Sequence, residues 1–179
     1  MLDELGRVEC WGENNSGKSD DHPAGDGFRQ VSLGHNHSCV LHEDGNITCW
    51  GYGTVGEGLM IPPTGTDFKS IAAGDFHNCA LRNDGSLYCW GRDLSNQLSN
   101  MPAGADFIGV AAGGDHACAI RGSGEVSCWG RDDYEQVSGV PVGVLFVDLT
   151  AGQNHTCGIT VLGRLECWGS NQNGETSLP

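Results

Sequence analysis

Cysteine and histidine carry most of the reactive chemistry in this chain, and they recur as a pattern. Four histidines each stand two residues before a cysteine: His37 with Cys39, His77 with Cys79, His116 with Cys118, and His155 with Cys157. Ten residues after each of these cysteines comes another, at Cys49, Cys89, Cys128 and Cys167, followed each time by Trp-Gly. A ninth, Cys10, also opens a Cys-Trp-Gly but has no counterpart ten residues earlier. Three chemistries compete for these residues. Zinc would find three ligands per unit where a structural site takes four. A general base normally occurs once, beside unique partners. A histidine repeated four times at one place therefore reads as structural, through a hydrogen bond to a turn backbone. Disulfides would join Cys39 to Cys49, Cys79 to Cys89, Cys118 to Cys128 and Cys157 to Cys167, leaving Cys10 as a free thiol. Reduced cysteines packed as small hydrophobes remain the alternative.

The element that must position these groups is a β-hairpin. Gly45, Gly85, Gly124 and Gly163 each sit at the third place of a Glu43-Asp44-Gly45 type loop, the αL place of a three-residue hairpin turn. Counting outward, Leu41 opposes Ile47, Leu81 opposes Leu87, Ile120 opposes Val126, and Ile159 opposes Leu165. Two residues further out the cysteines oppose each other, with Cα atoms about 4.5 to 5.5 Å apart, within reach of a disulfide. The apolar pair and the cysteine pair share one face, because side chains alternate along a strand, and tryptophan falls on the other. Trp11, Trp50, Trp90, Trp129 and Trp168 thus read as packing residues.

Cys-Trp-Gly recurs at spacings of 39, 40, 39 and 39 residues. A fixed period near 40 signals a solenoid, propeller or array. Before each hairpin come Phe28, Phe68, Phe107 and Phe146, then an apolar residue, then Gly34, Gly74, Gly113 and Gly152, at intervals of three. Both faces of each hairpin carry bulky groups, which fits a blade packed between two neighbours. Segments such as Ile71-Ala72-Ala73-Gly74 suit an innermost strand. The linkers, with Pro23, Pro63, Pro102 and Pro141, suit edge strands or outer loops. The chain reads as one array: a partial repeat over 1–27, then repeats 28–67, 68–106, 107–145 and 146–179.

The motif G-x2-H-x-C-[AVG]-[LI]-x3-G-x-[VIL]-x-C-W-G resembles the regulator-of-chromosome-condensation type repeat in its cysteine-bearing version. It is similar also to the crinkly repeats of plant receptor-kinase ectodomains. The resemblance implies an all-β propeller with antiparallel four-stranded blades, usually seven. Four full blades and one partial one are expected here, as a propeller fragment or an incomplete five-bladed ring; seven would need roughly 275 residues at this period.

The formal net charge of −14, with nine Lys and Arg, excludes the basic patch that nucleic acid demands. No apolar run approaches the ~20 residues of a membrane span. No phosphate-binding loop, Ca2+ loop or unique nucleophile–base pair is visible, so neither enzymatic activity nor a cofactor or metal is expected. The partner expected is another protein, with association to missing blades or a second copy also open. Variable loops after Cys-Trp-Gly are the place for specificity, and Tyr52, Arg92, Arg131 and Tyr134 are the residue types that anchor interfaces. Paired cysteines point to an extracellular or cell-surface location, and reduced ones would mean the cytoplasm. Sequons at Asn14, Asn36, Asn46 and Asn154 agree weakly with the former. The expected function is a non-enzymatic interaction module. Alternatives are a guanine-nucleotide exchange factor for a small GTPase and a secreted enzyme inhibitor resembling the β-lactamase inhibitor propeller.

Overall fold

A computed structural model describes residues 1–15, 17–53 and 58–177. Among the described residues, twelve strands form four antiparallel sheets of three. Blade 1 contains β1 (Phe28–Leu33), β2 (His37–His42) and β3 (Ile47–Gly51). Blade 2 contains β4 (Phe68–Ala73), β5 (His77–Arg82) and β6 (Leu87–Gly91). Blade 3 contains β7 (Phe107–Ala112), β8 (His116–Arg121) and β9 (Val126–Gly130). Blade 4 contains β10 (Phe146–Ala151), β11 (His155–Thr160) and β12 (Leu165–Gly169). The partial repeat contributes one isolated antiparallel bridge, Leu2 with Val8.

The hairpin register is the one that turn chemistry dictates. Cys39 faces Cys49 and Leu41 faces Ile47, with the same pairing in the other three blades. The turn glycines hold φ of 89°, 86°, 89° and 73° at Gly45, Gly85, Gly124 and Gly163, where any other residue is strained. Each inner strand is bulged after its phenylalanine, between Phe28 and Gln30 in blade 1 and at the same place in the others. The bulge sets Phe28 opposite His42, Phe68 opposite Arg82, Phe107 opposite Arg121 and Phe146 opposite Thr160. The guanidinium of Arg121 lies 4.4 Å from the Phe107 ring centroid and closes that end of the core.

Blades stack through one repeated seam. The Cys39, Leu41 and Ile47 face of blade 1 packs on Phe68, Ile71, Ala80 and Trp90 of blade 2. The same faces meet between blades 2 and 3 and between blades 3 and 4. Leu2 and Val8 give the equivalent cover to Phe28, Val40 and Trp50 of blade 1. The inner strands converge on a shared groove lined by small residues, including Ala72, Ala73, Ala111, Ala112 and Ala151.

The blades are three-stranded among the described residues, not four-stranded as the resemblance implies. The outer linkers satisfy their backbone differently. Asp93 Oδ1 accepts from the Leu98 and Ser99 N–H groups, and Asp132 Oδ1 from those of Val137 and Ser138. Such side-chain caps hold the linker as turns and leave no ladder of free donors. Among the described residues there is no helix, hence none long and apolar enough to cross a membrane.

Candidate functional site

The histidines sit at the seams. His37 is fully buried and its Nε2 lies 2.8 Å from Asn78 Oδ1 in the next blade. His116 Nε2 lies 2.8 Å from Thr156 Oγ1, again one blade on. This corrects the expected turn-backbone partner: the bond crosses between blades and ends on a side chain. Gly34 explains why. A Cβ there would collide with the His37 ring and with the Gly74 carbonyl of the next blade, so only glycine lets the ring lie flat and aim across. His77 has no such partner, because the residue at the position of Asn78 and Thr156 is Ala117; both its ring nitrogens are buried and unbonded. Burial lowers the pKa of His37 and takes His77 and His116 down to about 4, so these rings are neutral at physiological pH. Neutral and enclosed, His37 and His116 hold neighbouring blades together through these bonds.

All four hairpins carry disulfides, with Cα atoms 4.0 to 4.1 Å apart. Cys10 is a free thiol. With both sulfurs of each pair bonded to each other, His-x-Cys is no zinc half-site. Cys39, Cys79 and Cys118 are fully buried under the following blade, whereas Cys157, in blade 4, is only partly covered.

The tryptophans hold the linkers. Trp50, Trp90, Trp129 and Trp168 are buried, and their indole N–H groups donate to the carbonyls of Lys18, Leu59, Gln97 and Gln136. Trp11 differs, being 69% exposed. Sequence reasoning missed the receiving side. Gln97 and Gln136 are fully buried linker residues whose Oε1 atoms also accept from the Ser95 and Tyr134 N–H groups. Their signal was the recurrence of Trp-Gly-x-Asp with Gln five residues after that Gly's successor pattern begins, at Gln97 and Gln136, seven residues after Trp90 and Trp129.

The rim residues separate into two kinds. Arg92 is engaged within the chain: its guanidinium lies 3.8 Å from the Phe76 ring centroid and 3.1 Å from Asp115 Oδ1. Tyr52 is 60% exposed. Arg131 pairs with Asp133 at 2.6 Å and reaches over Tyr134, at 5.9 Å from its ring centroid. Thr54, in the same loop as Tyr52, and Ser16, in the Asn14 sequon, lie outside the described residues. Asn46 is exposed, while Asn36 and Asn154 are half-buried at blade mouths.

Fold and seams together define a class: a stack of propeller blades, each stapled by its own disulfide. The chain belongs to the regulator of chromosome condensation (RCC1) repeat family, whose repeat matches residues 28–57, 68–97, 107–136 and 146–175. Among solved structures it is similar to the entire ectodomain of the Physcomitrella patens receptor kinase CR4. There the identity is 31% over 98% of this chain and 50% of that one, with a TM-score of 0.79. The crinkly ectodomain of the Arabidopsis thaliana receptor kinase ACR4 is 29% identical over 85% of this chain and 52% of its own length, with a TM-score of 0.67. Yeast RCC1 (Prp20) shares the fold at 20% identity, covering 80% of this chain and 44% of that one, with a TM-score of 0.68. The chain thus spans about half the length of the ectodomains it matches. No curated protein matches it significantly.

Proposed function

We propose that this array is a non-enzymatic protein-binding module that works outside the cytoplasm. The observation that carries the reading is the disulfide in every full blade, in a chain 31% identical to a receptor-kinase ectodomain. Disulfides on short loops persist where the surroundings are oxidising. The partner is another protein, met through the rim by Tyr52, Arg131 and Tyr134, while Arg92 serves the framework. The likeness to yeast RCC1 is one of fold, and no exchange activity is inferred from it.

Two measurements test this. Intact mass after alkylation of natively isolated protein is expected to show four disulfides and one blocked thiol; nine blocked thiols would overturn the extracellular assignment. A variant carrying Tyr52→Ala, Arg131→Ala and Tyr134→Ala is expected to keep the fold and lose binding to intact cells. Accelerated nucleotide release from a panel of small GTPases would overturn the reading in favour of an exchange factor.

A further inference from the structure

The end of the blades that carries the hairpin turns changes character along the chain. In blades 1 and 2 the turns open with Glu43-Asp44 and Asn83-Asp84, and the bulge positions after the inner-strand phenylalanine are Arg29 and Lys69. In blades 3 and 4 the bulge positions are Ile108 and Val147, and the blade 4 turn opens with Val161-Leu162. The linkers follow the same shift. The Asp67 carbonyl accepts from the Asn83 N–H, that of Asp106 from Gly122, and that of Leu145 from Val161. At the first two places the carboxylate pairs with Arg82 or Arg121. At the third, leucine stands for the carboxylate and Thr160 for the arginine.

Ile108, Val142, Leu145, Val147, Val161 and Leu162 are all exposed, Val142 at 99% and Leu162 at 77%. This exposure belongs to their place in the repeat. Arg29, Glu43, Asp44, Asn83, Asp84 and Asp106 are equally exposed in blades that another blade follows. The six aliphatic side chains offer on the order of 500 Å2 of apolar surface, as large as the patches that mark binding sites on monomers. The patch runs into a groove of about 410 Å3 lined by Val126 and residues 140–145, together with Arg121 and Glu125. Arg121 is already held by Asp106 and the Phe107 ring. Glu125 accepts from Ser123 Oγ and has no cationic partner among the described residues.

We propose that the turn face of blades 3 and 4 docks an apolar segment of another protein that carries a lysine or arginine among its aliphatic side chains. The aliphatic side chains cover Val142, Leu145, Val147 and Leu162, and the cation meets the Glu125 carboxylate. Charge selects this occupant. The charge left over in the groove is negative and the chain carries −14, so a second copy or an acidic segment is repelled and a basic one is drawn in. This face lies at the opposite end of the strands from Tyr52, Arg131 and Tyr134, so the inference stands apart from binding at the rim.

The test uses the full chain with its four disulfides intact. The probes are two fluorescein-labelled peptides, one alternating leucine with lysine and one alternating leucine with glutamate, followed by anisotropy at ~0.15 M and ~0.5 M salt. The lysine peptide is expected to bind about tenfold or more tighter than the glutamate peptide and to keep most of its affinity at the higher salt. Val142→Ser together with Leu162→Ser should weaken it by about tenfold or more, since both side chains then lose their apolar contact. Glu125→Gln should weaken it by about threefold without weakening the glutamate peptide. An unchanged urea midpoint shows that each variant is folded. Absence of saturable binding would overturn the proposal. So would binding that vanishes at the higher salt or ignores the Val142 and Leu162 substitutions, which marks attraction to net charge alone. Self-association in sedimentation, or flotation with phosphatidylcholine vesicles, lost with the same two substitutions would overturn it in favour of a second copy or a lipid surface.

Discussion

Replacing Ala117 with serine should stabilise the protein. His77 Nε2 is buried without a partner, while the equivalent nitrogens of His37 and His116 each have one 2.8 Å away in the next blade. An unsatisfied buried polar group costs about 1 to 3 kcal/mol. Serine adds a single oxygen at Ala117, so overpacking in this fully enclosed site takes back only part of the gain. A net gain of about 1 kcal/mol is expected, a rise of roughly 2 to 4 °C in Tm for a chain of this size. Urea unfolding measures it. Two further readouts separate the new bond from general packing. The hydroxyl stabilises the imidazolium as well, so the His77 pKa should rise from about 4 towards its unfolded value. The serine gain should therefore be larger at pH 5 than at pH 7.5. In a His77→Leu background the gain should vanish. The same gain with leucine at 77, or no movement of the His77 titration, would refute the reasoning.

The seam histidines also predict an acid limb. Their folded pKa values lie below the unfolded value of about 6.5, so the unfolded chain binds protons first. Stability is full above about pH 6.5 and falls towards pH 4, by about 3 kcal/mol each for His77 and His116, as urea midpoints across that range will show. Gly85→Ala should cost far more than Gly163→Ala. Both have positive φ, but a Cβ on Gly85 would lie 2.5 Å from the Ala105 carbonyl, whereas one on Gly163 meets nothing within 4 Å; comparative thermal melts decide this. Glu135 holds φ of 61° where Gly17 and Gly174 occupy the same loop place, so Glu135→Gly should stabilise by up to about 1 kcal/mol in urea unfolding. Under native conditions with limiting reductant, the Cys157–Cys167 bridge should be the first reduced, because Cys39, Cys79 and Cys118 are fully buried and Cys157 is not; alkylation mapping gives the order.

What was legible in the sequence was local. Gly45 announces its turn, the turn sets Leu41 against Ile47 and Cys39 against Cys49, and the alternation of faces puts Trp50 on the far side. Each of these spans about ten residues and follows from backbone geometry. The seam was less legible, since His37 and Asn78 meet across 41 residues. A hint stood between His and Cys, where Ser38, Asn78 and Thr156 are polar in an otherwise apolar strand. The fourth strand was expected from resemblance alone. It fails because Asp93 and Asp132 close their linkers into turns, and proline at 102 and 141 removes donors a ladder needs. Trp11 carries the repeat's motif but not its burial, because burial requires the rest of a blade, which no motif supplies.

Each bridge also decides how the chain responds to tension. A disulfide between residues ten apart hides those ten residues from a pulling force. At ~3.5 Å per extended residue that is about 35 Å withheld per blade, or about 140 Å across the four. A blade torn open by force therefore lengthens only through its inner strand and its linker, while its hairpin stays shut. The hairpins remain as knots from which the stack can re-form when the load is released.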